Sequence, residues 1–270
     1  MPWRIVAAPF MFIGIFFFYL TLGDKSYSTY IIPFIGIIVI LYVFSPQINW
    51  WWYIRHPPAL AKGLVQFFEK HYPIYQKMSV KNKQLFQDRV ALHMIASDYI
   101  PKVTESVQED IKAITAACAT QIALGKEDFM FPKFEHIVVY PKAFLSPQYP
   151  KKFHASEVYD HEGVLTFSAE HLVRGFTEPD KYYNIGLHEY AKVFMYSHPT
   201  EAWPTLDENI WEDLYEISKF TKEAISTFMN IDNIEPLPVS ICHFFVFPEA
   251  FKKQLPKLYK LYIGIFNQMP

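Results

Sequence analysis

The chain has 270 residues and a mass of 31.8 kDa, with 51% hydrophobic and 18% aromatic residues. That content excludes disorder and exceeds what a soluble domain of this size usually hides. The 25 basic and 27 acidic residues form no long run of either sign, which argues against a nucleic-acid partner. Cys118 and Cys242 are the only cysteines, too few for a disulfide framework or a zinc knuckle.

Residues 5–23 carry no charge, and neither do residues 26–54. A membrane-crossing helix needs about 20 apolar residues, so spans are expected over about 5–23 and 30–47, as a two-helix hairpin within a 1–55 unit. Trp3 at one end and Trp50, Trp51, Trp52 and Tyr53 at the other mark the headgroup zone of a lipid bilayer. Arg4 before an apolar stretch also fits a signal peptide, yet no small-x-small cleavage site follows Leu22. Arg4, Arg55, Lys62 and Lys70 favour a cytoplasmic location for both ends.

Pro57 and Pro58 form a stiff exit linker, and residues 56–270 read as one domain. Two helices are expected between Leu64 and Ile100, separated by Pro73, with Ser79 capping the second. Ser106 and Glu109 have capping-box spacing ahead of Val107, Ile111, Ile114, Cys118 and Ile122, so a helix runs to Gly125. Short β-branched runs at 136–140 and 164–167 suggest a small sheet. Further helices are expected from Pro179–Lys181 to Tyr196, over 207–229, 240–254 and 257–266. The fold class is therefore mainly α with a small β-sheet.

Within the fourth of these helices lies Asn184-Ile185-Gly186-Leu187-His188-Glu189-Tyr190-Ala191-Lys192. Zinc peptidases use H-E-x-x-H because residues four apart share a helix face, where two imidazoles hold the metal and the glutamate activates its water. Here Lys192 stands at the fifth position. Alone, H-E-x-x-K has no specificity, and His188-Glu189 reads as a solvated helix surface.

The flanks carry more. Val164-Leu165-Thr166-Phe167-Ser168, Glu178-Pro179-Asp180 and the His188 segment resemble the Mlc titration factor A family of zinc peptidases. So do Ile137-Val138-Val139-Tyr140-Pro141 and Phe244-Phe245-Val246-Phe247-Pro248-Glu249-Ala250-Phe251. The likeness spans nearly all of 64–270 and implies a zincin-like α+β fold with zinc as cofactor. It implies His188 as first ligand, Glu189 as catalytic base and Glu249 as third ligand, with Lys192 in the second ligand position. An ammonium has no lone pair to give and repels a divalent cation, so the same correspondence argues for loss of zinc hydrolysis. His243 and Leu237 depart from the family pattern too. His154, His161, His171 and His243 are alternative ligands, although His243 lies some 240° around a helix from Glu249 at about 3.6 residues per turn. The expectation is a membrane-anchored pseudo-peptidase that binds a protein or peptide partner. The alternative is an active zinc peptidase with an unusual ligand.

Overall fold

A computed structural model describes residues 2–148 and 150–270. The chain divides into two compact units, Met1–Pro58 and Ala59–Pro270.

In the first unit, α1 (Pro2–Thr21) and α2 (Ser28–Val43) are joined by a short 3-10 turn, Lys25–Tyr27. Asp24 caps that turn, accepting from the Ser26 backbone N–H at 2.9 Å. The helices run antiparallel: Trp3 meets Tyr42 at a 5.8 Å centroid distance, and Phe17 stacks on Tyr30 and Phe34 at 5.6 and 5.7 Å. Their other faces remain open, with Ile5, Phe12 and Leu22 each more than 70% exposed. Segments Pro2–Thr21 and Lys25–Val43 are long and apolar enough to cross a membrane. The second uncharged stretch is not one helix. It breaks at Phe44, and Pro46 in the first turn of α3 (Ser45–Arg55) restarts it, because proline lacks the N–H that a continuous helix needs. Trp50, Trp51 and Trp52 lie on α3, and the Trp3 backbone N–H of α1 donates to Asn49 at 3.0 Å.

The second unit opens with α4 (Lys62–His71), α5 (Pro73–Lys77) and α6 (Val80–Ala96). Pro73 starts a short extra helix here, and Ser79 caps α6 as the sequence suggests, accepting from Asn82 N–H at 3.2 Å. Next come β1 (Asp98–Pro101), α7 (Glu109–Ala123), β2 (His136–Tyr140), β3 (Ser156–Tyr159) and β4 (Val164–Ser168). The sheet order is β1-β2-β4-β3, with β1, β2 and β4 parallel and β3 antiparallel on the edge. The Ser106–Glu109 capping box does not form: α7 starts later, with Gln108 at its N-cap and no side-chain cap. Ala113, Ala116, Ala117 and Ala119 on α7 are buried, and small side chains let neighbouring helices approach closely.

The chain continues through α8 (Ala169–Thr177), α9 (Ile185–Ser197), α10 (Ile210–Ser218), α11 (Lys222–Met229), α12 (Pro236–Val246), α13 (Pro248–Gln254) and α14 (Pro256–Phe266). Two long expected helices are split. The 207–229 segment breaks where Lys219 adopts a left-handed φ of 62° and Thr221 caps a new start. The 240–254 segment breaks at Pro248. The 179–196 helix begins later, at Ile185, because Asn184 rather than Asp180 provides the cap. Phe194, Phe244, Phe251, Tyr262 and Phe266 are fully buried together in the core behind α9.

Candidate functional site

The start of α9 is clamped from two sides. Asn184 Oδ1 accepts the Leu187 N–H at 2.9 Å and the Cys118 thiol of α7 at 3.9 Å. The Cys242 thiol of α12 donates to the Asn184 carbonyl at 3.6 Å. Gly186 is required there, since a Cβ would lie 2.6 Å from Cys118 Sγ and 2.9 Å from Leu172 Cδ1. Both cysteines thus fix the helix that bears His188 and Glu189.

His188 is 3% exposed, and its Nδ1 lies 2.7 Å from the Tyr183 hydroxyl. Burial pushes its pKa down to about 4, so the imidazole is neutral at pH 7. Glu189 is 1% exposed. Its Oε1 accepts from Ser156 Oγ at 2.7 Å, and its Oε2 from Lys192 Nζ at 3.0 Å. Burial pushes the Glu189 carboxyl up, but Lys192, His188 and Ser156 outweigh it and hold the group below its ordinary value. Burial alone would lower the Lys192 pKa; the Glu189 carboxylate outweighs that and raises it. The result is an ionised pair, shut from water on the glutamate side and 26% exposed at the lysine.

These residues line a cleft of about 280 Å³ together with Glu157 of β3 and Glu235, the N-cap residue of α12. The structure does not bring Glu249 there. It is exposed in the first turn of α13 and lines no part of the cleft, because Pro248 breaks the helix and redirects the segment. Glu235 is the carboxylate that reaches the cleft, close enough to Lys192 to raise its pKa. A signal for it exists in the sequence: an acid directly before Pro236 and an apolar run marks a helix start. Ser156 had no such signal.

None of the four alternative histidines is among the described lining residues of the cleft, although His154 borders it through Glu157. His154 Nε2 meets Glu157 Oε2 at 3.0 Å, and His171 Nδ1 meets Ser168 Oγ at 2.8 Å. The His161 side chain is 91% exposed. His243 is buried on α12 with neither ring nitrogen hydrogen-bonded among the described residues, and burial pushes its pKa down to about 3. Among the described residues no group of three or more His, Cys, Asp or Glu side chains could hold a metal ion.

A helix presenting adjacent His and Glu to a cleft, edged by the antiparallel strand of a small mixed sheet, fits the zincin-like α+β class of the metallopeptidases, and the family match shows that class. The model of the glucose-regulated metallopeptidase M90 family matches residues 49–267, and the chain belongs to that family. The resemblance to the Mlc titration factor A peptidases is thereby borne out. A search of the curated proteins found no match.

Proposed function

We propose that the protein is a membrane-anchored pseudo-peptidase, whose zincin-like domain binds a peptide or protein partner in the α9 cleft without zinc hydrolysis. One observation carries this reading: Lys192 Nζ lies 3.0 Å from Glu189 Oε2. A peptidase base must accept a proton from a metal-bound water. Here that carboxylate is already engaged by an ammonium one helical turn from His188, and its lowered pKa makes it a poor base. Zinc is the family's general cofactor, but the donor set does not fit it. His188 and Glu235 offer lone pairs, whereas Lys192 offers a fixed positive charge that repels the ion.

What the site's own residues do is hold one another. Ser156 and Lys192 keep Glu189 ionised, Tyr183 orients His188, and the cleft stays open to a ligand. The apolar helices α1 and α2 anchor this unit to the bilayer, with residues 56–270 on the cytoplasmic side, following the basic residues Arg4, Arg55, Lys62 and Lys70.

The test is proteolysis of an unfolded protein substrate by the full chain in detergent, with and without added zinc. No zinc-dependent cleavage is expected. Cleavage that needs zinc and is abolished by Glu189→Gln would instead establish an active peptidase with an unusual ligand. Labelling of a cysteine introduced at Lys62 by an impermeant reagent added outside intact cells would refute the orientation.

A further inference from the structure

We propose that the corner between α13 and α14 is a docking surface for an anionic lipid bilayer, its lysines meeting headgroup phosphates and its leucine groove meeting the acyl boundary. This rests on the membrane-anchored reading above, since an anchored chain keeps its second unit within reach of a bilayer.

The corner exists because Pro256 has no N–H with which to continue α13, so the chain turns at Leu255 and restarts as α14. The turn leaves a groove of about 520 Å³ lined by Leu206, Ile210, Leu255, Pro256, Leu258 and Leu261, none of them fully buried. A contiguous open apolar surface with a polar rim marks a contact site more often than a bare face. Here the rim is basic. From Ala250 to Pro270 the chain carries four lysines and no acid. Lys252 and Lys253 lie on α13 and Lys257 and Lys260 on α14; all four are exposed, and none pairs with a carboxylate among the described residues.

The lysines and the groove are presented together. Lys257, Lys260, Leu261 and Gly264 recur at spacings of three and four and so share one face of α14, while Tyr259, Tyr262, Ile265 and Phe266 on the other side are buried in the core. The nearby acids Asp207, Glu212 and Asp213 belong to the α10 side of the groove, where Gln254 Nε2 donates to Asp213 at 2.9 Å. The α14 flank is therefore the positive one. Phosphate headgroups offer it diffuse negative charge, the groove accepts apolar contact just beneath, and long lysine stems reach the headgroups from either side of it. A neutral surface would leave the lysines without partners.

The test uses the full chain in lipid nanodiscs, with Gly264→Cys carrying an environment-sensitive fluorophore. An added Cβ at Gly264 meets no atom within 4 Å, and Cys118 and Cys242 are buried away from the label. With phosphatidylglycerol in the disc, the emission should shift to the blue and be quenched by spin-labelled lipid. In discs of phosphatidylcholine alone, or at high salt, both effects should fade. A lysine near an anionic surface shifts the docked-to-undocked ratio about fivefold, the equivalent of about 1 kcal/mol. Lys257→Gln/Lys260→Gln should thus lower that ratio roughly 25-fold without changing the melting temperature, because both side chains are exposed. Lys77→Gln/Lys81→Gln, which removes the same charge from two other exposed lysines, should leave it unchanged. Shielding that is equal in both lipids, that ignores salt, that survives in Lys257→Gln/Lys260→Gln or that falls equally in Lys77→Gln/Lys81→Gln would each overturn the proposal. So would shielding by an added acidic peptide in detergent with none in anionic discs, which would assign the groove to a protein partner. Loss of the chain from the discs on gel filtration refutes the membrane-anchored reading, whereas a retained chain whose label stays in water on anionic lipid refutes the docking surface alone.

Discussion

Replacing Lys192 by methionine keeps an unbranched side chain one atom shorter and removes its charge. Among the described residues Glu189, 1% exposed, then retains the Ser156 hydroxyl, 2.7 Å from Oε1, as its one side-chain hydrogen-bond donor. Removing one partner of a fully buried pair costs about 3–5 kcal/mol. Lys192 is 26% exposed, so water reaches the vacated position and about 2–3 kcal/mol is expected. Protonation of Glu189 sets a ceiling: neutralising a carboxyl of ordinary pKa at pH 7 costs about 4 kcal/mol, and at pH 5 only about 1 kcal/mol. The penalty of Lys192→Met must therefore shrink as pH falls from 7 to 5. In thermal unfolding of the full chain in detergent, the variant should melt roughly 5–10 °C below the parent at pH 7. Glu189→Gln leaves the more exposed lysine to solvate and should cost about 1 kcal/mol. The double variant should be less destabilised than the sum by at least about 1 kcal/mol. An unchanged melting temperature for Lys192→Met at pH 7, or strict additivity, would refute the claim that the ammonium sustains the buried carboxylate.

Three further outcomes are expected. Burial holds His93 and His188 down to about 4 and His243 to about 3, whereas the unfolded chain titrates them near 6.5; the unfolded state therefore binds more protons between these values, and stability should fall by about 2 kcal/mol per histidine from pH 7 to pH 5, as read by denaturant titration. Glu189, with its lowered pKa, adds nothing to that loss until the pH drops below about 4.5, and a flat profile from pH 7 to 5 would contradict neutral burial. His243→Leu removes two buried ring nitrogens without partners among the described residues and should raise stability by about 1 kcal/mol; a loss of that size would mean that the ring has a partner. Gly186→Ala forces α9 away from Cys118 and Leu172 and should cost about 1–3 kcal/mol in the same titration.

The hairpin, β2, β4 and the cap at Ser79 were legible because each rests on local chemistry: uncharged length, β-branched runs, a serine before a helical period. The errors share a different cause. Asn184 beats Asp180 as the cap of α9 because Cys118 and Cys242, distant in sequence, grip it. Lys219 breaks a continuous helical pattern by entering the left-handed region, which periodicity does not register. His188 and Glu189 stood out through the family resemblance rather than through their adjacency alone, whereas Glu235, which the sequence reading did not name, lines the cleft at the start of α12 and Glu249, beyond Pro248, does not. Ser156 reaches Glu189 only through the pairing of β3 with β4, a contact with no trace in local sequence.

The central claim is that Lys192 stands in the place of a metal's positive charge. Zinc bound per chain, measured by mass spectrometry after loading the purified full-length protein with zinc and desalting, tests it most directly, with Lys192→His beside the parent. Well under one zinc is expected in the parent and a rise toward one in Lys192→His, where an imidazole joins His188 and Glu235 on the cleft wall. One zinc per chain in the parent, lost in His188→Ala or Glu235→Gln, would contradict it.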